Sequence, residues 1–189
     1  TNTATATWTD KDGHDHTNKG QADFTPKTEF KNDGSKSGSY NAVSKQITWT
    51  VVTNYNQRKL SNASITDPII GDQDYVADSA KLYEASINKD GSYVLGTQVA
   101  SANISFDSAK KQLTAKLPDN SSKAYVLSYQ TSLSGKVIDQ KSYDNTAIYT
   151  NNQESSNLTA QVSVPYSGNV LDKTGEQDPT NSAYALWTI

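Results

Sequence analysis

The chain contains no cysteine and no methionine in 189 residues. Without cysteine there is no disulfide framework, no thiolate metal site and no thiol nucleophile. A secreted chain built this way must resist heat, force and proteases by other means. Histidine is nearly missing as well. The only two, His14 and His16, sit in the polar run Asp10-Lys11-Asp12-Gly13-His14-Asp15-His16. The glycine and acidic spacing of that run does not fit an EF-hand, so it reads as a solvated turn, and neither a metal site nor a cofactor is expected. Excess charge is also lacking: the net charge is −3, which gives no electrostatic case for nucleic acid or an anionic membrane. No apolar stretch is long enough to span a bilayer and none reads as a signal peptide, so targeting and anchoring segments are expected outside this sequence.

What is present is polar and β-prone. Hydrophobic residues make up 34%, a low share, but 11 Tyr, 3 Trp and 3 Phe together with ordered alternation argue against disorder. Gln46 to Asn54 places Ile47, Trp49 and Val51 on one face and Thr48 and Thr50 on the other. Ala124 to Thr131 does the same with Tyr125, Leu127 and Tyr129. Further strands are expected at 64–67, 81–87, 92–96, 103–106, 112–117, 146–150 and 158–164. Turn signals separate them at Asn32-Asp33-Gly34, Asn88-Lys89-Asp90-Gly91, Pro118-Asp119-Asn120 and Tyr143-Asp144-Asn145. Asp90-Gly91 between two short apolar runs predicts a hairpin. Many short strands at this spacing, with no capped helical period, predict an all-β sandwich of two sheets around one core.

Two neighbourhoods occur twice. Asn2-Thr3-Ala4 recurs as Asn145-Thr146-Ala147. Lys31-Asn32-Asp33-Gly34, leading to Ile47-Thr48-Trp49-Thr50-Val51, recurs as Lys173-Thr174-Gly175 leading to Ala185-Leu186-Trp187-Thr188-Ile189. The offsets are 143 positions (145 − 2) and 142 positions (173 − 31), and their agreement suggests an array of repeats. Residues 1–20 then read as the last-strand remnant of a preceding repeat, 21–168 as a complete sandwich, and 169–189 as the first-strand portion of a following repeat. Strands orphaned in this way are expected to pack on the central domain or to pair between molecules.

The strings Ile47-Thr48-Trp49-Thr50-Val51 with Asn54, then Leu60-Ser61-Asn62-Ala63-Ser64-Ile65-Thr66-Asp67-Pro68, resemble the repeats of collagen-adhesin-type surface proteins of Gram-positive bacteria. So do Lys81-Leu82-Tyr83, Asn88-Lys89-Asp90-Gly91-Ser92, Ala124-Tyr125 with Tyr129-Gln130-Thr131, and Asn145-Thr146-Ala147. The resemblance spans nearly all of 30–164 and rests on the order and spacing of motifs that are each short. It implies an immunoglobulin-like β-sandwich. It also implies a spontaneous isopeptide bond from a first-strand Lys to a last-strand Asn, assisted by a buried acid. Carried over by position, these residues are Lys31, Asn145 and Asp67, with Lys27 as the runner-up lysine because Phe30 and Lys31 point to opposite faces of a regular strand. The residue types suit the chemistry. A lysine attacks only when neutral, which burial favours, and an amide needs its carbonyl polarised by a donor such as a protonated carboxyl. The bond forms once per molecule, so the chain is not expected to be an enzyme.

Three functions are open to such a chain. The first is a structural stalk of a cell-surface adhesin or fibre, extracellular and anchored to the cell wall, whose partners are neighbouring repeats. The second is an adhesin domain that itself recognises a host matrix protein or glycan; such a ligand could also be met through a distal domain. The third, a carbohydrate-active enzyme using Asp72 and Asp74, is weak because those acids sit in a Gly71-led loop. Four glycosylation sequons, at Asn62, Asn103, Asn120 and Asn157, are incidental in a bacterial protein.

Overall fold

The computed structural model describes residues 1–24, 32–165 and 174–188. Among them there is no helix, and the chain divides into two compact units, Thr1–Lys31 and Asn32–Ile189.

Among its described residues the first unit is one antiparallel hairpin, β1 (Asn2–Thr9) and β2 (Asp15–Ala22), in register from Asn2 opposite Ala22 to Thr9 opposite Asp15. Its turn is organised by Asp10, whose Oδ1 accepts the backbone N–H of Asp12 and of His14, both at 2.9 Å. The other oxygen of this carboxylate lies 2.7 Å from His16 Nε2 and 3.6 Å from His14 Nδ1, and the His16 ring stacks on Trp8. The first part of the histidine run, 10–14, is thus an exposed turn, while Asp15 and His16 already belong to β2.

Among the described residues the second unit holds thirteen strands. They are β3 (Gly34–Asn41), β4 (Gln46–Thr53), β5 (Ser64–Pro68), β6 (Asp74–Tyr75), β7 (Lys81–Ile87), β8 (Tyr93–Gln98) and β9 (Asn103–Asp107), then β10 (Gln112–Lys116), β11 (Ala124–Ser132), β12 (Ser142–Asn151), β13 (Glu154–Ser163), β14 (Thr174–Gln177) and β15 (Ala185–Thr188). One sheet has the order β13-β12-β5-β10-β9 and the other β3-β4-β11-β7-β8, with β6 on β11. Strands β14 and β15 form a separate two-stranded hairpin.

Side-chain alternation explains the layering. Because successive residues of a strand face opposite ways, Ile47, Trp49 and Val51 of β4 and Tyr125, Leu127 and Tyr129 of β11 point together into one core. They meet Ile65 of β5, Leu113 and Ala115 of β10, Tyr143, Ala147 and Tyr149 of β12, and Leu158, Ala160 and Val162 of β13. The result is the antiparallel sandwich expected from the alternation. Turn chemistry is also as expected: Gly91, at φ +83°, closes the β7–β8 hairpin. Asn152 (φ 50°) and Gln153 (φ 69°) close β12–β13 as a two-residue loop with both residues left-handed.

Strand β3 has no counterpart among the strands expected from the sequence. Its inward positions carry Gly34, Lys36 and Gly38, which show no apolar alternation. The glycines are small where the core is crowded. A Cβ on Gly38 would collide with Val162 Cγ2 and lie 2.8 Å from the Trp49 ring. Strand β3 therefore closes the side of the sandwich against β13 and lets the Trp49 ring lie flat over the glycine.

Candidate functional site

Asp67 lies on β5 and Asn145 on β12, adjacent strands of one sheet, and both are completely buried. Asp67 comes two positions after Ile65, and Asn145 precedes Ala147 and Tyr149 at the same spacing, so each shares the inward face of its strand. Lys31 and Lys27 lie outside the described residues. The lysine that meets the two site residues is Lys36, reaching in from β3 of the opposite sheet with a fully buried side chain.

With Tyr129 of β11, these groups form one cluster. Lys36 Nζ donates to Asp67 Oδ2 and, at 3.2 Å, to the Tyr129 hydroxyl. Tyr129 in turn donates to Asp67 Oδ2 at 2.8 Å and accepts from Asn145 Nδ2 at 2.8 Å. The Tyr129 oxygen thus links the amine, the acid and the amide. Aromatic faces wall the amine: Nζ stands 5.2 Å from the Trp49 ring centroid and 5.4 Å from that of Tyr129.

Burial governs the electrostatics. Removal from water pushes the Lys36 amine below the ordinary lysine range, and the nearby Asp67 charge opposes that shift. Burial, reinforced by the Asp67 charge, pushes the Tyr129 phenol well above its usual range, so Tyr129 remains a neutral hydroxyl.

Two buried oxygens of the cluster, Asp67 Oδ1 and Asn145 Oδ1, have no hydrogen-bond partner. The neighbouring polar chain differs. Trp49 Nε1 donates to Thr131 Oγ1 at 3.0 Å, Thr131 donates to Gln73 Oε1 at 2.6 Å, and Gln73 Nε2 donates to the Ile70 carbonyl at 2.7 Å. That network is satisfied, whereas the lysine cluster is left with one unmet acceptor on the acid and one on the amide. Buried polar atoms are nearly always paired, and besides these two only the Tyr149 hydroxyl lacks a partner among the described residues.

The other sequence candidates fall elsewhere. Asp72 and Asp74 flank Lys136 Nζ at 2.7 and 3.0 Å, with side chains 63% and 65% exposed, an ion-pair loop on the surface. Among the described residues no group of His, Asp and Glu could hold a metal ion. Asn2 opens β1 and is exposed, and Lys173 lies outside the described residues.

The sandwich has known relatives. Residues 31–160 match the family described as collagen binding domain. The chain belongs to that family. No curated protein matches the chain. Solved structures do. The collagen-binding domain from a Staphylococcus aureus adhesin aligns at 16% identity and a TM-score of 0.50, covering 70% of this chain and 97% of that one. The collagen binding subdomain of the Enterococcus faecalis surface protein ACE aligns at 18% and 0.52, covering 76% and 100%. A longer ACE structure, described as binding its ligands by the collagen hug model, aligns at 18% and 0.53, covering 85% of this chain and 59% of that one. At these identities the likeness carries the fold: the sandwich is the immunoglobulin-like type of the collagen-adhesin domains. The family match takes in Lys36, Asp67, Tyr129 and Asn145, so the whole cluster falls within the family domain.

Proposed function

We propose that this domain is a structural unit of a bacterial surface adhesin, locked by a self-made isopeptide bond between Lys36 and Asn145. The observation that carries this reading is the convergence of Lys36, Asp67, Tyr129 and Asn145 in one dry cluster spanning both sheets. In the reactive protonation state the proton has moved from Lys36 Nζ to Asp67. The neutral amine attacks Asn145 Cγ, while the protonated acid donates to Asn145 Oδ1 and polarises the carbonyl. Asp67 then takes a proton from the new C–N bond's nitrogen and returns one to the departing Nδ2. One amide forms, one breaks and ammonia leaves. The two orphan oxygens support this route, since a proton shared between Asp67 Oδ1 and Asn145 Oδ1 would satisfy both. The reaction happens once and has no turnover, so the domain is not an enzyme.

A bond from β3 to β12 lets pulling force cross from Lys36 to Asn145 without loading the residues between. That suits a stalk that holds a binding region away from the cell. Hairpins β1–β2 and β14–β15 fit an array in which one ends a preceding repeat and the other begins a following one.

Intact mass of the denatured protein, beside an Asp67→Ala variant, tests the reading. Wild type short by one ammonia, with the variant at its full mass, is the expected result. A wild-type mass equal to that of the plain sequence would sink it.

Family membership favours a second reading, in which this domain itself engages collagen outside the cell. Binding of the isolated chain to immobilised triple-helical collagen, absent on the heat-denatured ligand, would establish it. No binding to either would leave the stalk reading alone.

A further inference from the structure

We propose that the Tyr129 hydroxyl is itself a catalytic residue of the bond formation, handing a proton from Asp67 Oδ2 to Asn145 Nδ2 as that nitrogen leaves. This relay rests on the crosslink reading and adds to it the step by which a poor leaving group departs.

The contacts single out Tyr129 for this step. Asp67 Oδ2 accepts from both Lys36 Nζ and Tyr129, so the oxygen beside the attacking amine also touches the phenol. Asn145 Nδ2, the nitrogen that must depart, donates to the same phenol. The Tyr129 oxygen stands 2.8 Å from each of them, whereas Asp67 Oδ1 and Asn145 Oδ1 have no hydrogen-bond partner at all. The path from acid to leaving nitrogen therefore runs through the hydroxyl. Asp67, Tyr129 and Asn145 are completely buried, so bulk solvent cannot deliver the proton instead. The same burial holds the phenol neutral, as a proton donor must be.

Donor and acceptor roles fix when the relay can run. An amide nitrogen spreads its lone pair into the carbonyl and can only donate, and in the resting cluster Nδ2 donates to Tyr129 while Tyr129 donates to Asp67. Attack changes both ends. Once Lys36 Nζ has bonded to Asn145 Cγ, Nζ carries a surplus proton, which its partner Asp67 Oδ2 takes up. Nδ2 on the tetrahedral carbon is now an amine with a free lone pair. Both hydrogen bonds then reverse: Oδ2–H donates to the Tyr129 oxygen, and Tyr129 O–H donates to Nδ2. One proton moves along each. The Cγ–Nδ2 bond breaks with its electron pair going to nitrogen, the carbonyl re-forms as Oδ1 returns its proton to Asp67 Oδ1, and ammonia leaves. Tyr129 ends with the proton count it began with. Before the adduct exists Nδ2 has nothing to accept with, so the relay cannot cleave the amide ahead of the attack.

The test follows the full chain, kept unreacted in urea and then diluted into buffer. Circular dichroism times folding, and the intact mass of acid-quenched samples times the loss of ammonia. Tyr129→Phe should fold as wild type does but lose ammonia about 10²–10⁴-fold more slowly, the usual contribution of a positioned proton donor. Solvent isotopes separate a relay from mere positioning. Two protons move in one step, so the wild-type rate in mixtures of H2O and D2O should bow below a straight line, and this arm needs no variant. The slow phase of Tyr129→Phe should follow a straight line, because Asp67 alone then moves a single proton. A variant that keeps pace with wild type would overturn the relay and leave the crosslink standing. So would a straight wild-type line, or a slowed variant whose line is still bowed, which would make Tyr129 a positioning residue. Wild type that folds and never loses ammonia would remove the crosslink reading and the relay with it.

Discussion

Replacing Asn145 by Ala removes the proposed electrophile while leaving the Lys36–Asp67 ion pair in place, so it isolates the contribution of the proposed crosslink. The proposed bond would close a loop of 109 residues (145 − 36). By the chain-entropy relation for cross-links, a loop of this size removes about 4.8 kcal/mol of denatured-state entropy at room temperature. Losing the buried hydrogen bond from Asn145 to Tyr129 adds about 1 kcal/mol. At about 2–4 °C per kcal/mol for a chain of this size, the melting midpoint should fall by roughly 10–20 °C. Calorimetry on both proteins, with intact mass in parallel, gives the comparison. A drop of only about 2–4 °C, the scale of one hydrogen bond, would show that no loop had been closed and would refute the reasoning even if the variant were less stable.

Three further outcomes are expected from the same geometry. Tyr129→Phe removes the hydroxyl that touches amine, acid and amide; it should fold, cost about 1–3 kcal/mol and form the bond more slowly, visible as a mixture of masses in freshly made protein. Gly38→Val should destabilise by about 1–3 kcal/mol or more, read as a lowered urea midpoint, because its side chain must displace Val162 and the Trp49 ring. In the unlinked Asn145→Ala protein the folded Lys36 amine titrates below its unfolded value, so the unfolded chain binds more protons between those two pH values. Stability should therefore climb as pH rises towards the unfolded lysine value near about 10.4 and be lost as pH falls through the folded one; adding Lys36→Met should flatten that slope in urea titrations at several pH values.

The sequence is most legible where strands bury one apolar face. β4, β11 and the β7–β8 hairpin fall within a residue or two of their expected limits, because Ile47-Thr48-Trp49 and Tyr125-Val126-Leu127 repeat with the period of the pleat. Asp67 and Asn145 share parity with buried neighbours and can be placed for the same reason. β3 cannot be. Its inward residues are two glycines and a lysine, suited to the room left by Trp49 and Val162, so hydrophobic alternation has nothing to detect. Sequence reasoning therefore passes over Lys36 and settles on Lys31 beside the Asn32-Asp33-Gly34 turn. Lys31 lies outside the described residues, and in the structure Asp33 takes a left-handed φ of 59°, its carboxylate accepting from the Asn56 N–H and from Arg58 Nε. The repeat does hold a usable signal. Lys173 precedes Trp187 by 14 positions (187 − 173), Lys36 precedes Trp49 by 13 (49 − 36), and Lys31 precedes it by 18 (49 − 31). Measured from the tryptophan, the match is Lys36, and the Lys-Ser-Gly and Lys-Thr-Gly triplets agree.

The positions of Lys36, Asp67 and Asn145 along the chain also bear on when the proposed crosslink could form. Lys36 enters on the first strand of the sandwich, Asp67 on the third and Asn145 on the second to last. Their meeting needs β3 seated against the far sheet and water already expelled by Trp49, Tyr129 and Tyr149, a condition that long-range strand pairing satisfies only late in folding. A crosslinked molecule has therefore reached its native arrangement at least once, and the bond keeps that history when the chain later unfolds. The fraction of crosslinked chains in a preparation then counts past folding successes, independently of how many molecules are folded at the moment of measurement.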